Sequence, residues 1–292
     1  MEDSLPPALI DAHHHLWDAT TFSFHGYAPS PSHYLLDEYL ADAAATNLVR
    51  SVHVQAEVAR EESVAETHWL QGIADEHGFP HGIVAYANLC QPDLESTLEE
   101  HAQARNLRGI RQILNWDRDP KVSQCERSDY LTDPAWNAGY AQLRHFGLSF
   151  DLQVFPNQML DAVQVAGAHP DTPMIVNHAG MPRLHDPEGW EDWCRGMRAL
   201  AERPNVSVKL SGFGMFDSQW ASSTVRPYVL TAIELFGVER TMFASNYPVD
   251  KSARPFGHMF RAYSDLVADF SAAERRALFY SNALRIYRLE AG

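Results

Sequence analysis

Eight short segments rich in β-branched and apolar residues recur along the chain. Between them, apolar positions return every three or four residues. The strand-like segments are 9–15 (LIDAHHH), 49–55 (VRSVHVQ), 82–88 (GIVAYAN), 108–114 (RGIRQIL), 148–154 (LSFDLQV), 173–179 (PMIVNHA), 206–212 (VSVKLSG) and 241–246 (TMFASN). The helical period marks 35–47, 62–78, 93–105, 134–146, 157–168, 188–202 and 225–236. Strand-then-helix alternation predicts parallel strands joined by helical crossovers. Eight such units predict closure into an α/β fold of the (β/α)8 TIM-barrel type, although an open doubly wound sheet alternates in the same way. No GxGxxG follows the first strand and no GxxxxGK[ST] occurs, so dinucleotide and P-loop readings lose support. With no internal repeat, low-complexity tract or linker, residues 1–292 are expected to form a single barrel domain, a length that this fold reaches as one unit.

The polar residues have a consistent place in this pattern. Nearly every strand segment carries one at or near its C-terminal end: His13 and His15, Gln55, Asn88, Arg111, Gln153, His178, Ser211 and Asn246. Barrel strands are otherwise apolar, and those ends converge on the face where active sites of this fold sit. The segments after several strand ends, 16–34, 115–133, 212–224 and 247–257, are long and aromatic. They hold Trp17, Phe22, Phe24, Tyr27, Trp116, Phe213, Phe216, Trp220, Tyr247 and Phe256. Long loops in a compact domain are usually functional, so these rings are expected to roof an apolar pocket for a cyclic or aromatic ligand. The plainer alternative is that many of them pack the loops onto the barrel rim. Gln55, Gln153, Ser211, Trp17, Trp116 and Tyr247 are the expected substrate contacts.

Composition narrows the partners. The formal net charge of −15, from 38 acidic and 23 basic residues, disfavours nucleic acid and anionic membrane. A carboxylated substrate would therefore need its own local cation. The three cysteines, Cys90, Cys125 and Cys194, form no CxxC pair, which fits a reducing cytoplasm better than a disulfide framework. Neither a signal-peptide pattern nor an apolar run of ~18 residues is present, so a cytoplasmic location is expected. The expected partner is a small molecule, with homo-oligomerisation left open.

The sharpest chemical feature is the H-x-H pair of His13 and His15. Side chains two apart in a strand share a face, which places both rings at the barrel mouth about 7 Å apart along the backbone, a spacing suited to two ligands of one metal. His14 should face the surrounding helices. Taken alone, the pair is equally a run of hydrogen-bonded strand-end histidines.

IDAHHHLWD resembles the opening motif of the lactonase-like branch of the amidohydrolase superfamily, the amidohydrolase-2 group, which includes sugar-lactone and pyrone-dicarboxylate lactonases. The resemblance continues through LRGIRQIL (107–114), DLQVFPNQ (151–158), PMIVNHAGMP (173–182), VSVKLSG (206–212), FASNYPVD (243–250) and FYSNALRIYRL (279–289). It implies that His13, His15 and His178 line the reaction centre and that Arg111 contacts a substrate carboxylate or carbonyl oxygen, a task suited to a guanidinium fork. One departure matters. Where the family commonly has an aspartate in Ser-Asp-x-Pro, this chain has Ser245-Asn246-Tyr247-Pro248. A carboxamide cannot take a proton from water near neutral pH.

Two repairs are open. His13, His15 and His178 could hold one divalent metal such as Zn2+, which lowers the pKa of bound water to about 7. Alternatively, catalysis is metal-free: Asp250 or one of the histidines activates water while Arg111 and a protonated histidine polarise the carbonyl. Gln153 stands where several zinc amidohydrolases place a histidine, which argues for one metal at most. The expected function is hydrolysis of a small cyclic ester of sugar-acid or aromatic catabolism. The enzyme alternative is non-oxidative decarboxylation of a small aromatic or unsaturated acid, and the non-enzymatic alternative is a ligand-binding barrel that has lost catalysis.

Overall fold

A computed structural model describes residues 5–26 and 28–289, so Tyr27 lies outside the described residues. Eight parallel strands form one sheet in sequential order: β1 (Leu9–His14), β2 (Leu48–Val54), β3 (Gly82–Tyr86), β4 (Leu107–Ile113), β5 (Ser149–Gln153), β6 (Met174–Val176), β7 (Val206–Leu210) and β8 (Thr241–Phe243). The two edges meet just past β8. His14 bridges Tyr247 in parallel, Asn246 N–H donates to His13 O at 2.8 Å, and His15 N–H donates to Tyr247 O at 2.7 Å. The sheet thereby closes into a (β/α)8 TIM barrel.

A helix follows each strand: α1 (Leu36–Ala43), α2 (Ser63–His77), α3 (Leu94–His101), α4 (Pro134–Gln142), α5 (Met159–Ala168), α6 (Pro187–Ala201), α7 (Ser222–Phe236) and α8 (Phe256–Leu266). Local sequence sets their ends. Asp133 caps α4 by accepting from Ala135 N–H at 2.8 Å, with Pro134 at the first helical position. Gly78 ends α2 in the left-handed conformation, φ +78°. The helical period predicts seven of these helices; α8 begins inside the segment read as a long loop after β8. Three further helical turns, Ala272–Arg276, Ala277–Ser281 and Asn282–Ile286, complete the chain's described part. Among the described residues no helix is long and apolar enough to cross a membrane.

The core has two compartments. The larger packs the strands' outer faces against the helices, with Trp136, Trp193 and Trp220 fully buried in it. The smaller joins Ile10, Ala12, Val52, Val54, Val84, Ile175, Met242 and Ala244 to Ile286, Tyr287 and Leu289 of the C-terminal segment. That segment thus plugs the barrel floor.

Strand β1 carries an irregularity that matters for the site. Asp11 pairs Ser51 whereas His14 pairs His53, three steps on one strand against two on its neighbour. The extra residue is a bulge, which resets side-chain alternation. Asp11 consequently binds Tyr39 Oη of α1 and the Ser245 backbone, while His13 and His15 turn towards His178. His14 faces outward as expected, stacked on Tyr39 at 4.1 Å with its Nε2 at 2.9 Å from Ser51 Oγ.

Candidate active site

A cavity of about 580 Å³ opens at the C-terminal ends of the strands. Six of the expected site residues line it: His15, Trp17, Arg111, Gln153, His178 and Asn246. The remaining wall includes His25, Glu57, Ser123, Gln124, Cys125 and Glu126, with Ile113, Met215 and Val249 as apolar contributions. Among the described lining residues Arg111 carries positive charge, and Glu57 and Glu126 carry negative charge.

Three imidazoles meet at its base. The His13 ring centroid lies 5.0 Å from that of His15 and 4.5 Å from that of His178. His13 is fully buried just beneath the two rings that line the cavity. Burial holds all three well below the ordinary histidine pKa; the next cause is Lys209 for His13 and Arg111 for His15 and His178. All three are therefore neutral at pH 7. His15 Nδ1 lies 2.6 Å from Val54 O, which only accepts, so Nδ1 carries the proton and Nε2 the lone pair. His178 Nδ1 sits 3.1 Å from Ser211 Oγ.

The backbone is strained where two of these groups sit. His178 has φ +52° and Asn246 φ +59°, left-handed conformations that cost a non-glycine residue about 1–3 kcal/mol and cluster at functional sites. Close approach adds a requirement at Gly212: a Cβ there would stand 2.7 Å from His178 Cγ and Nδ1.

Arg111 is buried in the wall, donating from Nη1 to Gln153 Oε1 at 2.9 Å and from Nη2 to Gln55 O at 2.6 Å. Gln153 Nε2 donates onward to Gln124 Oε1 at 3.2 Å. Asn246 hydrogen-bonds His15 through its side chain and donates from Nδ2 to Asp250 Oδ1 at 3.0 Å. Asp250 is buried behind Asn246 and outside the lining, with Gly214 N–H on its other oxygen. Burial pushes its carboxyl up to about 7 against those two hydrogen bonds.

The other expected contacts lie elsewhere. Gln55 is occupied by Glu57 at 2.5 Å, and Ser211 acts through His178. Trp116 is half-buried, and its backbone N–H donates to Gln158 Oε1. Tyr247 is buried on Phe256 and donates its hydroxyl to Arg254 O at 2.6 Å, so it closes the barrel and does not line the cavity. The expected aromatic roof is corrected likewise. Among the described rings only Trp17 lines the cavity, because Phe22, Phe213, Trp220 and Phe256 are spent on packing the loops. The wall combines polar groups with apolar surface from Trp17, Ile113, Met215 and Val249.

Lys209 and Asp151 stand outside the set of strand-end residues that the sequence singles out. Both are fully buried and joined at 2.6 Å, and Lys209 Nζ lies 3.3 Å from His13 Nδ1. The signal was available: each stands two residues before an expected mouth residue, Ser211 and Gln153, and so faces the same way.

A metal is tested by this donor set. One of the three imidazoles is engaged by the Lys209 ammonium at 3.3 Å, and the Arg111 guanidinium is adjacent. Among the described residues no three His, Cys, Asp or Glu side chains are arranged to hold an ion. The arrangement does not fit a divalent cation.

Comparison with known proteins places this geometry. The chain is 41% identical, over 97% of its length and 99% of the relative's, to the uncharacterized protein y4mH of Sinorhizobium fredii. It is 27% identical, over 96% of each chain, to an L-fucono-1,5-lactonase of Burkholderia ambifaria. A Burkholderia multivorans amidohydrolase solved with bound zinc superimposes with a TM-score of 0.83 at 25% identity, covering 97% of this chain and all of that one. The pattern of the Amidohydrolase family matches residues 10–289, and the chain belongs to that family.

Proposed function

We propose that this protein hydrolyses a small, neutral, polyhydroxylated lactone by attack of water on the ring carbonyl. The observation that carries the reading is one cavity wall shared by neutral His15 and His178 and the Arg111 guanidinium. A volume near 580 Å³ suits a monosaccharide-sized ligand. Within the lining, Gln124, Gln153, Ser123 and Asn246 offer hydroxyl partners. Glu57 and Glu126 would repel a dicarboxylate, which separates this substrate class from the carboxylated one considered from sequence. Similarity to an L-fucono-1,5-lactonase supports the same choice.

In this reading the lactone carbonyl oxygen turns to Arg111, which stabilises the charge that develops there. His178, whose Nδ1 lies 3.1 Å from Ser211 Oγ, acts in this reading as the Nδ1–H tautomer and presents its Nε2 lone pair to water as general base. The water proton moves to His178 and the hydroxide oxygen bonds to the carbonyl carbon. Collapse of the tetrahedral adduct breaks the ring C–O bond, and His178 returns the proton to the leaving alkoxide. Asp250 cannot touch the water and acts by orienting Asn246, and through it His15. No step needs a metal.

The test is a panel of aldonolactones and one pyrone dicarboxylate, assayed by acid release at neutral pH before and after chelation. Turnover of aldonolactones that survives chelation is expected. Activity only on the dicarboxylate, or activity abolished by chelator and restored by zinc, overturns the reading.

A further inference from the structure

The polar cluster under the cavity has a role beyond filling the barrel. Asp151 accepts from Lys209 Nζ at 2.6 Å, from Tyr287 Oη at 2.9 Å and from Asn177 Nδ2 at 3.0 Å. Lys209 and Asp151 form a fully buried ion pair, with the lysine as the ammonium although burial lowers its pKa. A protonated ammonium has no lone pair, so towards His13 it can only donate. Its contact with His13 Nδ1 at 3.3 Å therefore requires the ring lone pair at Nδ1. A neutral imidazole with its lone pair there carries its proton on Nε2. That atom is buried and has no hydrogen-bond partner among the described residues. Unpartnered buried donors are costly, and where they persist beside a cavity they point to a ligand. The ring lies directly beneath the cavity lining, 5.0 Å from His15 and 4.5 Å from His178 between centroids.

We propose that Lys209, anchored by Asp151, is a positioning residue that fixes His13 as its Nε2–H tautomer, making His13 a hydrogen-bond donor to the substrate carbonyl oxygen. The donor role rests on the lactonase reading; the tautomer does not. Arg111 and His13 then approach the developing oxyanion together, and His178 is left as the base. The same tautomer explains why the first histidine of the H-x-H pair is a poor metal ligand here: its Nδ1 faces a cation and its Nε2 bears a proton.

The tautomer is read directly by two-bond ¹H–¹⁵N spectra of the full chain labelled with ¹⁵N-histidine, with His13 assigned by its loss in H13Q. Wild type should show the Nε2–H pattern. Lys209→Met alone strands a buried carboxylate and risks unfolding, so the informative variant is K209M/D151N. It removes both charges while the new amide oxygen can still accept from Tyr287 and Asn177. In that variant, with its folding checked by thermal melting, His13 should lose the Nε2–H pattern wholly or in part. kcat should fall about 10–100-fold with KM changed less than about threefold, as for loss of one donor made only in the transition state. An Nδ1–H pattern in wild type overturns the proposal, as does a double variant that keeps both the wild-type tautomer and the wild-type kcat. If wild type shows the Nε2–H pattern but opens no lactone, the tautomer assignment stands and the hydrolase reading, with the donor role built on it, falls.

Discussion

The inside of this barrel is two different materials stacked on the same strands. At the floor, Ile10, Val52, Val84, Ile175 and Met242 close against Ile286, Tyr287 and Leu289. A few residues further along those strands and their neighbours, the inward positions are His13, Arg111, Asp151, His178, Lys209 and Asn246, every one of them buried. The floor gains stability from apolar area removed from water, at roughly 25 cal/mol per Å². The mouth spends stability on desolvated charge, neutral histidines and left-handed backbone. Strand alternation treats both alike. What differs is only how far along each strand a residue sits.

That division can be broken by experiment. The largest expected effect is at the mouth: His178→Ala should lower kcat/KM by about 10²–10⁴-fold, with a melting temperature close to wild type. Met242→Ala at the floor should do the reverse, costing about 2–5 kcal/mol of stability while turnover per folded molecule is unchanged. If urea melts and kinetics show the two effects exchanged, the two-material picture is wrong.

A pH experiment sharpens the mouth's cost. Asp250 has a folded-state pKa raised to about 7, above its ordinary 3.8. The folded state therefore binds the proton more tightly than the unfolded one. Its contribution is fully present below about pH 4 and is lost as pH rises through 7. Asp250→Asn cannot ionise and escapes that loss. Its stability relative to wild type should improve from pH 5 to pH 8 by on the order of 1–4 kcal/mol. A difference independent of pH would show that the carboxyl is not held up by burial.

The smallest effect concerns the closing seam. Tyr247→Phe removes one hydroxyl bonded to Arg254 O and should cost about 0.5–1.5 kcal/mol with KM unaltered. A several-fold rise in KM without loss of stability would return Tyr247 to the substrate-binding set.

Much of the molecule was legible because it depends on local period. All eight strands stand where the β-branched runs fall, within a few residues at their ends. The convergence of His13, His15 and His178 followed from strand ends meeting on one face, and the outward turn of His14 from alternation. The bulge between Asp11 and His14 was not legible, because it is set by pairing with β2 and by the Ser245 backbone that Asp11 binds. The aromatic loops misled for a related reason: a ring reads identically in sequence whether it faces a cavity or packs a loop. Phe213 and Trp220 are buried against Tyr263 of α8, a helix the pattern had not marked.

The sequence by itself determined the alternation of strand and helix, the barrel that eight such units build, and the identity of the polar groups at its mouth. Each of these depends on residues within a few positions of one another. Only the tertiary structure decided what those groups are to each other. It set Lys209 against His13, placed Asp250 behind Asn246, and put Arg111 in one cavity lining with Glu57 and Glu126. Tautomer, charge state and hydrogen-bond direction depend on distances of a few ångströms between residues as many as 234 positions apart. No periodicity along a chain records those distances.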